Sequence, residues 1–264
     1  MDQFYIGLHH PSDAWPFLRS MISINSIRER KGRFKVNDWI MDSGAFTEIS
    51  TYGRWRSEPE EYAEQINRWK HNGNLLAAVS QDLMCEPFIL EKSGLTIGEH
   101  QTITIERYAR LVRLTDAYVM PVLQGYSPES YAAHVHQYGG LLRHGQWVGV
   151  GSVCKRNCNP QQIEDVLLAI KTQRPDLRLH GFGLKIQALR SGTVRALLHS
   201  ADSMAWSYAA RKEDGSEHDP RRALAYAAKM EAIMGQPMFV QHQLYTWWSS
   251  SAACAAQEDG SVAA

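Results

Sequence analysis

Three carboxylates and one amide stand where apolar runs of this sequence end. Asp42 follows WIM, Asp82 follows AAVSQ, Gln124 follows VMPVL, and Asp202 opens DSMAW. Glycines 149 and 151 punctuate WVGVGSV, and Lys185 follows GFGL. Carboxylates brought close together repel unless their protonation states are split, and that split is what an acid/base pair uses. Taken singly, each residue has a plainer use. Asp42 or Asp82 can cap a helix or fill a turn. Gln124 before Gly125 can be a loop amide, the glycines can serve a tight turn, and Lys185 can be a solvated strand end. The decisive question is whether the fold brings them to one place.

The elements that would do so are legible as eight short apolar runs: FYIGL (4–8), SMISI (20–24), DWIM (38–41), LLAAVS (75–80), AYVMPVL (117–123), WVGVG (147–151), LRLHGFG (177–183) and ADSMAW (201–206). Between them lie stretches with helical periodicity, at 58–71, 102–114, 128–142, 160–173, 186–198 and 219–234. Three of these open on a capping residue followed by proline: SPES, NPQQ and DPRR. Strands alternating with helices predict an α/β fold with a mainly parallel sheet. Eight strands in a chain of this length fit a (β/α)8 TIM-like barrel, with an open doubly wound sheet as the alternative. In either, catalysis belongs at the C-terminal strand ends, where the polar residues above fall. The periodicity fades after Pro237, so the expected division is a catalytic barrel over 1–236 and a C-terminal extension and flexible tail over 237–264.

With 264 residues, 44% of them hydrophobic, the chain can bury a substantial core. Lys plus Arg equals Asp plus Glu at 28 each, so attraction to nucleic acid must be local. The start, MDQFYIGLHHPSDAW, has neither the basic residues nor the apolar stretch of a signal peptide, and no run is long enough to span a bilayer. The expectation is a cytoplasmic protein with no membrane partner, and oligomeric state is not readable. Cys85, Cys154, Cys158 and Cys254 are too scattered for a disulfide framework. The pair in CKRNC lacks a second Cys pair or an HxxxH, so no metal site is expected. Among the histidines, His134 and His136 are two apart on a helix and point in different directions, whereas His9 and His10 end the first strand.

Five segments, in order, resemble a known family. WIMDSGAF is similar to the DSGGF-type segment of tRNA-guanine transglycosylases, barrel enzymes that exchange a guanine in nucleic acid for a 7-deazaguanine. VMPVLQGYSPESY resembles their glutamine-before-glycine segment, WVGVGSV their glycine-rich base-binding strand, HGFGLK the following strand, and SADSMAWSYAAR the segment supplying the nucleophile. The resemblance covers roughly residues 36–212. The short chain, with DSGAF, GSVCKRN and DSMAWSYAAR, resembles the DpdA-type branch, which modifies DNA. The zinc subdomain of the tRNA enzymes has no counterpart, since only Cys254 lies beyond Cys158.

The resemblance implies a pentosyltransferase that needs no cofactor, with DNA and a free 7-deazaguanine base as partners. It makes Asp202 the nucleophile and Asp42 the general acid/base. Asp82 and Gln124 would read the base, with the backbone at Gly149, Val150 and Gly151. Ser43 would give the purine room and Phe46 a stacking face. Lys155, Arg156, Lys185, Arg211 and Lys212 would meet phosphates, with RERKGRFK (28–35), Arg54 and Arg56 as further candidates. Competing readings are a tRNA enzyme that lost its zinc element, a noncatalytic nucleobase- or nucleic-acid-binding barrel, and an unrelated glycosidase-like or aldolase-like barrel.

Overall fold

The computed structural model describes residues 1–212, 216 and 218–239. Its strands are β1 (Gln3–Leu8), β2 (Arg19–Ser23), β3 (Asp38–Asp42), β4 (Asn74–Val79), β5 (Val119–Met120), β6 (Val122–Leu123), β7 (Trp147–Val150), β8 (Arg178–Gly181) and β9 (Ser200–Ser203). They run in the order β5-β4-β3-β2-β1-β9-β8-β7-β6, every neighbouring pair parallel. The two ends of that order are halves of one strand, interrupted by Pro121, which has no N–H to give the ladder. On one side Ser80 N–H donates to Met120 O (3.0 Å); on the other Gly149 N–H donates to Pro121 O (2.8 Å). The sheet therefore closes on itself, and all eight apolar runs supply its staves.

Period-2 alternation sorts each strand into two faces. Tyr5, Met21, Ile40, Val79, Met120, Val122 and Trp147 pack together as the barrel interior. Their neighbours Phe4, Ile22, Trp39, Met41, Val148 and Val150 belong to the larger core under the helices. One step of two beyond Ile40 on the same face is Asp42, and one beyond Val122 is Gln124. The alternation that fills the barrel with apolar side chains thus delivers polar ones to its mouth.

The helices are α1 (Ile24–Ile27), α2 (Ala45–Tyr52), α3 (Pro59–Trp69), α4 (Pro87–Ser93), α5 (Ile97–Leu114), α6 (Pro128–Tyr138), α7 (Pro160–Gln173), α8 (Ile186–Leu189), α9 (Gly192–Leu197), α10 (Ala205–Lys212) and α11 (Pro220–Met234). Capping chemistry sets several bounds. Helix α5 starts five residues before the expected 102, because Thr96 and Glu99 form a reciprocal capping box. The stretch 186–198 is two short helices, since the Ser191 side chain accepts from Val194 N–H and restarts the chain. The last apolar run stops as a strand at Ser203, whose hydroxyl accepts from Ala205 N–H (3.2 Å) at the start of α10.

Beyond α11, Leu18 N–H donates to Met238 O (2.9 Å), and Met238 is buried in the core. The expected tail lies, from residue 240 on, outside the described residues. Among the described residues no helix is long and apolar enough to cross a membrane.

Candidate active site

The C-terminal mouth of the barrel opens on a cavity of about 570 Å³, lined by Asp42, Asp82, Phe46, Gln124, Gly151 and Asp202 among others. Four carboxylate or amide groups from four different strand ends therefore share one space, as an active site in this fold requires.

Asp42 ends β3, half-buried, and its Oδ2 accepts the Gly44 N–H at 3.1 Å. Gly44 makes that turn possible: its φ is 77°, and a Cβ there would meet Asn25 Nδ2 at 2.6 Å. Burial pushes the Asp42 pKa up to about 6; the Gly44 and Ser23 donors oppose the shift, and the charge of Asp202 adds to it. A carboxyl group poised there can both give and take a proton near neutrality.

Asp82, in the loop after β4, is buried and accepts from Gln124 Nε2 through Oδ2. Burial pushes its pKa up to about 7, against the Gln124 hydrogen bond, with Asp42 and Glu86 adding repulsion. Gln124 is held from both ends. Its backbone N–H donates to His134 Nδ1 (2.9 Å), and its carbonyl accepts from Gln101 Nε2 (2.8 Å). Burial pushes His134 down to about 4, consistent with a neutral ring that accepts. At the other end, Gln124 Oε1 accepts from Ser152 Oγ (2.8 Å). The amide's orientation is thereby set, with Nε2 toward Asp82 and a second N–H to spare.

Sequence reading missed Ser152, which lies immediately after Gly151 and touches three partners. Besides Gln124, its Oγ lies 2.9 Å from Glu86 Oε2 and accepts the Cys85 N–H at 3.0 Å. Its φ of 54° is positive, and no other non-glycine among the described residues shares that conformation. Glu86, at the N-cap of α4, is buried and lines the cavity, as do Ser23 and Asn25. Applying the rule that found Asp42, namely polar residues at strand ends, to β2 and β7 would have found Ser23, Asn25 and Ser152. Glu86 carried only the weak signal of a residue before a helix-opening proline.

The glycines of WVGVGSV leave space that neighbouring side chains fill. A Cβ at Gly151 would lie 2.1 Å from Gln124 Nε2, and one at Gly149 would lie 2.4 Å from the Phe182 ring. The missing side chains make room for Gln124 and Phe182. Gly151 lines the cavity; Gly149, Val150 and Ser43 do not, and the Val150 side chain packs into the outer core.

On the opposite side, Asp202 of β9 is buried, and its Oδ1 accepts from Gly183 N–H (3.0 Å) and His180 Nε2 (3.3 Å). His9 lines the cavity nearby, its Nε2 2.7 Å from Ser207 Oγ. Above, Phe46 is 51% exposed, with Lys155 Nζ 5.4 Å from its ring centre. Arg156 lies over Tyr126 (5.1 Å); Lys185, Lys212 and Arg211 lie over Tyr208 at 4.7, 4.9 and 5.7 Å. These five cations, two of them in the last turn of α10, thus sit against exposed aromatic rings, a pairing suited to phosphate and base together. Arg56 instead pairs with Glu48 (2.9 Å). Among the described residues no three His, Cys, Asp or Glu side chains form a group able to hold a metal; burial pushes the Cys154 thiol up to about 11.

Across residues 1–258 the sequence matches the family model described as DpdA, DeoxyPurine in DNA protein A. The chain belongs to the DpdA family. No curated protein matches it. DpdA proteins are DNA-modifying transglycosylases, so DNA is the substrate partner of this barrel.

Proposed function

We propose that this DpdA protein exchanges guanine in DNA for a free 7-deazaguanine derivative, such as 7-cyano-7-deazaguanine, through a covalent aspartyl intermediate. The observation that carries the proposal is the meeting of Asp42 and Asp202 at one cavity with the Asp82 and Gln124 pair. An Asp202 oxygen attacks C1′ of the deoxyribose as the C1′–N9 bond breaks. The bond's electron pair goes to guanine, which takes the proton held by Asp42. In the second half, the incoming base gives its N9 proton to Asp42, N9 attacks C1′, and the ester releases Asp202 as a carboxylate. Protons and charges balance with no further reactant.

The free Asp82 oxygen suits the ring N–H and exocyclic amine of guanine, and the spare Gln124 N–H suits its carbonyl. Phe46 offers the purine a face, and the five rim cations meet the phosphates on either side. The target purine must leave its stack to enter, a cost of a few kcal/mol that is smallest where the duplex is already open. Mass spectrometry of nucleosides from DNA and tRNA of cells making the protein, supplied with the precursor base, tests the proposal. The modified nucleoside is expected in DNA; finding it only in tRNA overturns the reading.

A further inference from the structure

Inside the barrel a chain of polar groups runs up to Asp202 from below. Trp147 Nε1 lies 2.7 Å from Ser200 Oγ, Ser200 Oγ lies 2.9 Å from His180 Nδ1, and His180 Nε2 lies 3.3 Å from Asp202 Oδ1. Ser200 and His180 are fully buried. The side chains come from three neighbouring strands, β7, β8 and β9, and all point to the interior.

Donor and acceptor chemistry fixes the direction of the chain. An indole N–H only donates, so Ser200 accepts from Trp147 and keeps its own hydrogen for His180 Nδ1. A carboxylate only accepts, so the ring nitrogen facing Asp202 must carry a hydrogen. The two ends together select one tautomer, with Nδ1 accepting and Nε2 donating. The ring cannot tilt away, because Tyr5, Trp147 and Phe182 pack around it with centroids at 6.0, 5.9 and 4.9 Å. With Gly183 N–H also on Oδ1, the carboxylate is gripped by one oxygen, and no described residue engages Oδ2.

We infer that His180 is a positioning residue for Asp202, held in one tautomer by Ser200 and Trp147 so that Oδ2 is the oxygen presented to C1′. The inference rests on the exchange mechanism proposed above. It carries a kinetic signature, because an N–H donor binds a carboxylate more strongly than an ester carbonyl. Losing the donor therefore slows breakdown of the ester, where the carboxylate is regenerated, more than its formation.

The test compares His180→Leu, His180→Gln and Ser200→Ala with wild type, using guanine-containing DNA and the free 7-deazaguanine base. Turnover, KM for the base and the fraction of DNA trapped as covalent adduct are read. His180→Leu is expected to lower kcat on the order of 10²-fold, leave KM within about twofold and raise the adduct fraction. Glutamine, whose amide N–H can reach Oδ1, restores part of both effects, and Ser200→Ala shifts both in the same direction by less. Wild-type kcat in a folded His180→Leu protein overturns the inference, as does a loss with less adduct that glutamine does not restore. If the leucine variant does not fold, wild-type turnover in Ser200→Ala overturns it. A wild-type protein that releases no guanine overturns the exchange reading and this inference together.

Discussion

The two halves of the barrel mouth treat their carboxylates in opposite ways. On the β3, β4 and β6 side, half-buried Asp42 and buried Asp82 lie close enough for the charge of Asp42 to raise Asp82, and desolvation drives both upward, to about 6 and about 7. On the β8 and β9 side, Asp202 meets a backbone N–H and a ring N–H fixed in place. The first half favours carboxyl groups that keep a proton near neutrality; the second surrounds a carboxylate with donors. A reaction that must move a proton at one end of a purine and attack a sugar at the other needs that asymmetry.

The comparison breaks most completely at Asp202. Asp202→Ala is expected to abolish the covalent DNA adduct and lower exchange by ~10³-fold or more, read on a denaturing gel and by nucleoside analysis; an adduct that persists would show that the donor-lined half does not hold the nucleophile. Asp42→Asn comes next, with exchange down by roughly 10²- to 10⁴-fold in a folded protein. In wild type the two half-reactions should diverge with pH around this group. Adduct formation needs Asp42 protonated and falls as pH rises through about 6, whereas resolution by the incoming base needs the carboxylate and rises through about 6. Parallel profiles would remove Asp42 from the proton transfer.

Asp82→Asn sharpens the comparison through stability. Its folded pKa, about 7, lies above the ordinary 3.8, so the folded protein binds more protons than the unfolded chain between those values. The contribution of this group to stability is therefore fully present below about pH 4 and declines as pH rises to about 7. The asparagine variant escapes the decline. Its melting temperature should gain on wild type from pH 4 to pH 8, by a free energy of at most about 4 kcal/mol, while its KM for the base rises; an equal difference at both pH values would contradict the burial. The smallest effect belongs to the rim, where Phe46→Ala should weaken DNA binding by about 1 kcal/mol without changing either pH profile. A larger loss in titrations of binding would make the rim part of the reacting centre.

The barrel was legible because each strand is a short apolar run between helix signals, and because period-2 alternation puts the last polar residue of an inward face at the mouth. That logic reached Asp42 and Gln124; Asp82 was legible only as the first carboxylate after the run that forms β4, and Asp202 only as the carboxylate that opens DSMAW. Helices α2, α4 and α10, of seven or eight residues, are too short for a 3.6-residue period to stand out. Contacts between strands far apart in sequence were not legible either. Nothing in LRLHGFG says that His180 meets Ser200 and Asp202, and nothing in WVGVGSV says that Gly151 makes room for Gln124. Spacing tells which residues share a face; it does not tell which side chain fills the gap a glycine leaves.

Ser152 sets two demands against each other. A left-handed backbone costs a non-glycine residue about 1 kcal/mol, and glycine at 152 would remove that cost along with the hydroxyl that orients Gln124. Glycine would also leave the buried Cys85 N–H and Gln124 oxygen without that hydroxyl, at about 1–3 kcal/mol each, so selection for heat resistance alone should keep serine at 152. The strained backbone there is held in place by the hydrogen bonds it makes possible, so robustness and the orientation of Gln124 fall together when the hydroxyl is lost.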